Sequence, residues 1–389
     1  MEMFMNEKII YLDNAATTFP KPRPVLEAAF DCAENYCGNA GRGAHPLALA
    51  SAEAIFAARE ALASLFGAEP ERVIFTLNTT YAINMAIKGG MSRGGHILIS
   101  DMEHNSVLRP VARLARDRRV SYDIYPTHKE GLPLSVDEII SGIISRLRPD
   151  TRLVCALHTS NISSYSLPVC EIGALCHRLG LLFLCDAAQA AGHYDIDMRR
   201  DNIDILCIPG HKGLYAPQGV GAVILGENVS FETLIEGGNG VNSLELSMGN
   251  ILPEKYEGGT LATPSIVGLS AGVEFVRGIG ISTISAHERA LWHKAYLGLC
   301  DMGGITVYAP ECAGGVLLFN IDGVDPDEAG DRLADRGICV RTGYHCSPLA
   351  HRSLGTSDGG AIRVSFSVFN TESDIDALIE GVKGIISNK

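Results

Sequence analysis

Short β-branched or aliphatic runs alternate with longer amphipathic segments through the first two-thirds of this 389-residue chain, and no other feature restricts its fold as much. Runs at 72–76, 96–100, 152–158, 181–185 and 203–208 each precede a helical or loop segment, the order expected of a parallel α/β sheet. Parallel neighbours need long crossovers, and 82–87, 106–115 and 169–179 have helical spacing in the right places. The pattern predicts a doubly wound, mostly parallel sheet. After Gly237 the stretch GGNGVNSLELSMGNILPEKYEGGTLATPS reads as irregular chain, so we expect a large α/β domain over 15–255. A smaller α+β domain is expected over 256–389, joined by the N-terminal segment 1–14. Its expected helices lie at 265–277, 281–302 and 372–386, and its strands at 315–321, 338–341 and 361–366.

Composition narrows the function. Lys and Arg number 32 against 45 Asp and Glu, a net charge of −13, and no basic run stands out, so neither nucleic acid nor an anionic membrane is an expected partner. No apolar run reaches the ~18 residues of a membrane span, and MEMFMNEKII lacks the basic-then-apolar order of a signal peptide. A cytoplasmic protein is expected. Its eleven cysteines then read as reduced thiols, and without a CxxC pair no metal site is expected. Most lie in apolar runs such as LVCAL and DILCIP, where a thiol behaves as a small hydrophobe. Cys346 differs, lying among polar residues in RTGYHCSPLAH.

Ligands of open parallel sheets bind beyond the carboxyl ends of the strands. Five such ends carry polar groups: Asn78-Thr79-Thr80, Glu103-His104, Ser160-Asn161, Asp186 with Gln189, and Gly210-His211-Lys212. Any one group alone reads first as a helix cap, and the set as a whole favours a ligand site. Thr79 and Thr80 open a helix whose free N–H groups and dipole suit a phosphate, and capping is the rival reading. Asp186 follows the apolar run GLLFLC, so its carboxylate needs a positive partner. Either a protonated pyridine nitrogen of pyridoxal phosphate or an ordinary Arg or Lys would serve. Lys212 sits in the glycine-flanked IPGHKGLYAPQG, where a surface lysine is the default reading, but where an amine is also free to swing and, beside His211 and apolar residues, to lose its proton for a Schiff base.

The motifs YLDNAATT (11–18), GNAGRGAH (38–45), EHNSV (103–107), SN (160–161), DAAQ (186–189), GHKG (210–213), GGT (258–260), RTGYHC (341–346) and IRVSF (362–366) together resemble the cysteine desulfurases of the class V aminotransferase superfamily, near their type II branch. The resemblance spans nearly the whole chain. It implies a fold-type-I enzyme dependent on pyridoxal 5'-phosphate, a homodimer with active sites near the subunit interface, and a role in sulfur metabolism such as iron–sulfur cluster assembly. By motif position Lys212 would carry the cofactor, His104 would stack on its ring, and Asp186 would pair with the pyridine nitrogen. Gln189 and Asn161 would lie near the phenolic oxygen. Thr79, Thr80 and His211 would serve the phosphate, joined by Thr260 of the neighbouring subunit. Arg363 would hold the substrate carboxylate, Asn14, Ala15 and His45 would line the pocket, and Cys346 would be the nucleophile that takes sulfur from L-cysteine, leaving alanine, for a sulfur-acceptor protein. Adjacent His345 would lower the thiol's pKa.

Four positions depart from the family pattern. Pro209 replaces a Ser or Thr before GHK, Ser164 a glycine after the asparagine, Asn78 a glycine before the threonine pair, and Tyr344 a histidine. Selenocysteine lysis, transamination and another C–S lysis on the same scaffold remain alternatives, since fold alone does not choose among them. Cys346 weighs against transamination, which needs no thiol. A nicotinamide-dependent dehydrogenase is disfavoured, because no GxGxxG follows an early strand and GVGAVILG is only a fragment of one. A non-catalytic cofactor carrier is disfavoured by Lys212, Cys346 and Arg363 occurring together.

Overall fold

The computed structural model describes residues 9–41, 43–241 and 243–387. Residues 1–8, which hold most of the segment examined for a signal sequence, and Arg42 of GNAGRGAH lie outside the described residues. The chain opens with β1 (Ile10–Tyr11), α1 (Arg23–Asn35), α2 (Pro46–Phe66), β2 (Val73–Thr76), α3 (Thr79–Gly90), β3 (Gly95–Ser100), α4 (Asn105–Arg116) and β4 (Val120–Tyr125). It continues through β5 (His128–Lys129), β6 (Leu132–Pro133), α5 (Val136–Ile144), β7 (Thr151–Leu157), α6 (Val169–Leu179), β8 (Leu182–Asp186), β9 (Ile205–Pro209) and β10 (Gly221–Leu225). The remainder is α7 (Thr263–Ile279), α8 (Ile281–Cys300), β11 (Ile305–Tyr308), β12 (Val316–Ile321), α9 (Pro326–Ala334), β13 (Ile338–Cys339), β14 (Arg341–Gly343), α10 (Pro348–Ser353), β15 (Ala361–Ser365) and α11 (Glu372–Ser387).

Seven strands form the large sheet in the order β2-β10-β9-β8-β7-β3-β4. From β9 to β4 every pairing is parallel, whereas β10 runs antiparallel to both neighbours. The five strands anticipated from sequence are all present in this sheet. β4 and β10 were not anticipated. β10 follows β9 without a crossover helix, so it escapes a search for strand–helix alternation, and β4 is half-buried at the sheet edge with a weaker apolar signal.

Both faces of the sheet are covered, which explains the continuous apolar runs. Leu206 and Ile208 of β9 enter the core shared with α2, α6 and α7, while Ile205 and Cys207 enter the opposite core with α3 and α4. Burial pushes the thiols of Cys155, Cys185 and Cys207 well above their ordinary pKa, so they act as core hydrophobes. Among the described residues no His, Cys, Asp and Glu cluster suits a metal ion, and no single helix is long and apolar enough to cross a membrane.

A four-stranded antiparallel sheet, β11-β12-β15-β14, carries a separate core with α8, α9 and α11. Ile10 and Leu12 of the N-terminal segment pack into this small core. Ile266, Leu269, Val273 and Val276 of α7 belong instead with the large core, and α8 contributes Ile284 to one core and Trp292 to the other. We therefore place the passage between the cores within α8, while the irregular stretch around residues 255–256 marks a break in the chain's pattern.

α7 supports the loop that follows Lys212. At Gly272 a Cβ would collide with the carbonyl of Leu214, whereas at Gly278 it would meet nothing within 4 Å. Overpacking of this kind costs about 1–3 kcal/mol. Gly272→Ala is expected to lower the denaturant midpoint, and Gly278→Ala, which adds helix propensity in open space, to leave or raise it. A Gly272→Ala midpoint equal to wild type would show that the loop yields freely.

Candidate active site

The carboxyl ends of β2, β3, β7, β8 and β9 converge on one chamber. Thr79, Thr80, His104, Asn161, Asp186, Gln189, His211 and Lys212 all line it. The local reasons are caps and turns. Asn78 Oδ1 accepts from the Tyr81 N–H at 2.9 Å and so starts α3, with Thr79 and Thr80 in its first turn. His104 Nδ1 accepts from the Ser106 N–H at 3.1 Å and caps α4 while its ring faces the chamber. Capping and site-lining are thus both true of His104.

Asp186 closes β8 and is buried. Its Oδ1 accepts one backbone bond, from Ala188 N–H at 2.9 Å, and no Arg, Lys or His ion-pairs with it among the described residues. The ordinary salt bridge considered from sequence is therefore absent. Burial raises its pKa to about 6, against the pull of the Ala188 N–H and Lys212. Lys212 is open to the chamber but deep in the protein. Burial, helped by the positive charge of Arg363, brings its pKa down to about 8. Burial also holds His104 and His211 neutral, each at about 4, with Lys212 as the next cause.

Two buried polar atoms at the α3 end of the chamber have no protein partner among the described residues: Thr79 Oγ1 and His211 Nδ1. Beside them the free N–H groups of α3 open toward the chamber, and Thr80 Oγ1 meets Ser106 Oγ at 2.7 Å. Orphaned groups of this kind are costly unless a ligand satisfies them. A phosphate at one end and a cationic ring nitrogen at the other would meet these needs together, so the residues fit pyridoxal phosphate.

Arg363 is buried, with Nη2 2.6 Å from Asp13 Oδ1, Nη1 donating to the Asn161 carbonyl at 3.0 Å, and Nε without a partner among the described residues. It is both a salt-bridged strand arginine and a donor with capacity left. Arg341 lies opposite it in the β14–β15 register, and its charge also acts on Lys212 and His104. The sequence reading overlooked Arg341 although RTGYHC contains it; two cationic residues paired across a sheet become visible only once the register is known.

Cys346 is exposed on a loop with φ of 58°, after His345 with φ of 49°. The loop is tied to a residue that lines the chamber, Asn161, whose Nδ2 donates to the His345 carbonyl at 2.8 Å, and to Asn105, whose N–H donates to the Cys346 carbonyl at 2.8 Å. Asn161 Oδ1 also accepts from Ser347 Oγ at 2.7 Å, so this side chain ties down the cysteine loop as well as lining the chamber. His345 does not lend Cys346 a positive charge, contrary to expectation. Its ring is buried between His351 Nε2 and the Arg341 carbonyl, and burial with the charge of Arg363 holds it neutral, at about 2.

Asn14 and Ala15 line an adjoining chamber, where Asn14 is committed to Ser365, Asn370 and Phe19 backbone or side-chain atoms. Gln189 Nε2 donates to the Ala15 carbonyl at 2.9 Å. Neither Thr260 nor His45 lines the chamber of its own chain. Thr260 borders a separate surface cavity, and His45 is exposed and caps α2, its Nδ1 accepting from Ala48 N–H at 3.3 Å.

The sequence pattern described as aminotransferase class-V matches residues 10–378. The chain belongs to that family. It is 34% identical to a probable cysteine desulfurase of Methanothermobacter thermautotrophicus, over 97% of this chain and 94% of the relative. A probable cysteine desulfurase of Halalkalibacterium halodurans is also 34% identical, over 96% and 92%. Among solved structures it is similar to the apo cysteine desulfurase of Thermococcus onnurineus NA1, with a TM-score of 0.89, 29% identity and coverage of 98% and 95% of the two chains. It is likewise similar to the Escherichia coli cysteine desulfurase CsdA, with a TM-score of 0.87, 28% identity and coverage of 97% and 95%. The architecture is that of a fold-type-I pyridoxal-phosphate enzyme.

One buried acid, next to His104 in the chain, has a testable signature. Glu103 Oε1 accepts from Ser100 Oγ at 2.6 Å and Leu157 N–H at 3.0 Å, while Oε2 has no partner among the described residues. Burial raises its pKa to about 8, so it is neutral at pH 7. Because the folded pKa is raised, its stabilising contribution is complete below the ordinary carboxylate value and is lost as pH climbs through about 8. Glu103→Gln keeps the accepting oxygen and removes the titration. Denaturant titrations from pH 5 to 8 should show the fall in stability flattened by up to about 1.4 kcal/mol per pH unit. Parallel curves for the two proteins would mean that Glu103 is ionised in the fold.

Proposed function

We propose that this protein is a pyridoxal-phosphate-dependent cysteine desulfurase that converts L-cysteine to L-alanine and holds the sulfur on Cys346 as a persulfide. The observation that carries the reading is Asp186: a buried carboxylate with no ion-pair partner among the described residues, sharing a chamber with Lys212 and the orphaned Thr79 and His211 atoms. Thr79, Thr80 and His211 would hold the phosphate, His104 would stack on the ring, Asp186 would face its nitrogen, Gln189 and Asn161 would lie near its phenolic oxygen, and Lys212 would bind it covalently. When bound, the cofactor supplies an electron sink for the electrons released at the substrate's Cα.

The chain's own groups then do the following. Arg363, oriented by Asp13, offers its unpartnered Nε edge to the substrate carboxylate. Lys212, whose pKa near 8 leaves a share of neutral amine at physiological pH, removes the Cα proton. The Cys346 thiolate attacks the substrate sulfur, an S–S bond forms as the Cβ–S bond breaks, and the electron pair stays with the carbon skeleton. That skeleton takes up protons and leaves as alanine. Exposure of Cys346 suits delivery of the sulfur to an acceptor protein or small thiol.

Pairing of two copies accords with the exposed Leu47, Leu49, Phe56, Leu244, Leu246 and Ile251 and with the position of Thr260 outside its own chamber. Thr260 would complete the phosphate site of the neighbouring subunit, and His45 would reach the pocket in the assembly.

Incubation with L-cysteine and assay of alanine and protein persulfide tests the reading; selenocysteine as the sole productive substrate would replace it with selenocysteine lysis. Lys212→Ala should abolish the borohydride-reducible cofactor adduct. In Cys346→Ala the spectral change on adding cysteine should persist while persulfide is lost, and persulfide trapped on another cysteine of active enzyme would overturn the assignment. Arg363→Ala should raise KM by the worth of a charge-assisted hydrogen bond, about 1.5–3 kcal/mol, or roughly 10- to 150-fold.

A further inference from the structure

A second chamber of about 160 Å³ lies against the first and shares Lys212, Gln189 and Thr159 with it. That is room for several waters. His193, from the turn after β8, and Glu288, from α8, form part of its wall, and neither has a task in the chemistry above. His193 Nδ1 lies 3.0 Å from Glu288 Oε2, in an ion-pair contact that is close but off the line of a good hydrogen bond. Glu288 is buried. The other ring nitrogen, Nε2, has no protein partner among the described residues and packs beside Gly213, where any side chain would strike it. The residue next to Lys212 is thus kept bare against this imidazole. Burial disfavours the charged ring, yet Glu288 outweighs it, so the pKa of His193 rises above the usual histidine value, with Lys212 opposing. Ser285 Oγ donates to the His193 carbonyl and Arg289 lines the chamber's exposed side.

We propose that Glu288 and His193 form a proton relay that exchanges the protons of Lys212 with solvent through this second chamber. A proton on Lys212 Nζ passes to water in the chamber, the water gives one to His193 Nε2 when that nitrogen is free, and the ring releases one toward solvent on the Arg289 side. Return follows the same path. No bond other than those to hydrogen changes and no electrons are transferred. Glu288 holds the proton on Nδ1 so that Nε2 does the exchanging. His193 is a positioning residue in this sense, acting on substrate only through Lys212.

The relay rests on the reading of Lys212 as the base that moves the Cα proton. Its test uses holoenzyme and isotope content instead of rate. L-cysteine deuterated at Cα is converted in ordinary water and the deuterium in the product alanine is measured. In parallel, α-deuterated L-alanine is incubated with the enzyme and its washout followed, which requires proton removal and return but no sulfur chemistry. Wild type should give product almost free of label. His193→Gln and Glu288→Gln should each retain severalfold more label in product and slow the washout per proton removed, and added imidazole should restore exchange in His193→Ala. A variant that is merely less stable makes less alanine without changing its label content. Label content and washout equal to wild type in Glu288→Gln and in whichever His193 variant folds would overturn the relay. No alanine from cysteine, with washout present and slowed in the variants, would instead overturn the desulfurase reading and keep the relay.

Discussion

A carboxylate buried at the end of β8 without a cation is the constraint around which the rest of the site is organised. Taking a charge out of water costs several kcal/mol unless something positive faces it. Asp186 has one backbone N–H and the distant field of Lys212. Without a ligand the fold responds by raising its pKa, and a second buried acid, Glu103, is raised further. Both shifts come first from burial, and of the two acids it is Asp186 that lines the chamber. Bringing a cation to Asp186 would restore the ordinary carboxylate, and the same ligand, if phosphorylated, would satisfy Thr79 and His211.

Aiming Lys212 requires equal rigidity behind it. The carbonyl of His211 accepts from Thr18 N–H at 3.2 Å, Thr17 Oγ1 at 3.2 Å, Thr18 Oγ1 at 3.2 Å and Lys21 Nζ at 2.7 Å. Thr18 Oγ1 also reaches the Lys212 carbonyl at 3.2 Å. Residues 11–21 thus clamp the peptide that bears the amine, while α7 closes on Leu214 two residues later. The same segment carries Asp13, which orients Arg363, and Leu12, which packs into the small core. The stretch that carries the YLDNAATT motif thus joins the Lys212 loop, Arg363 and the second core.

The large parallel sheet was legible because its strands are buried on both faces and separated by helices, so apolar runs stand out. The strand-end residues were legible because a parallel sheet sends its carboxyl ends to one place. What escaped depended on pairing. Arg341 matters through its register opposite Arg363, β10 has no helix to announce it, and the neutral state of His345 follows from burial that no neighbouring residue betrays. Likewise Thr260 and His45 fall outside the chamber, since a motif gives a residue's order but not where the fold carries it.

The family departures show the same limit from the other side. Ser164 stands where glycine is usual, and its φ is indeed 56°, a conformation that costs a serine on the order of 1–3 kcal/mol. Its hydroxyl offsets this: Oγ accepts from Val316 N–H at 2.8 Å and donates to the Val316 carbonyl at 3.0 Å. Val316 begins β12 of the small sheet, so the substitution adds a double tie between the two sheets beside Asn161. Asn78 trades a flexible glycine for a helix cap, and Tyr344 bonds through its hydroxyl to the Ser357 carbonyl at 2.8 Å. These three departures are each matched by a contact that a glycine, or a histidine of shorter reach, does not make in the same way. Pro209 is the exception, since it ends β9 with no N–H to give and no hydroxyl to replace it. With Thr79 and His211 already presenting unpartnered atoms on that side, the phosphate reading depends on them and on the α3 N-terminus, and the strand end before Lys212 contributes shape alone.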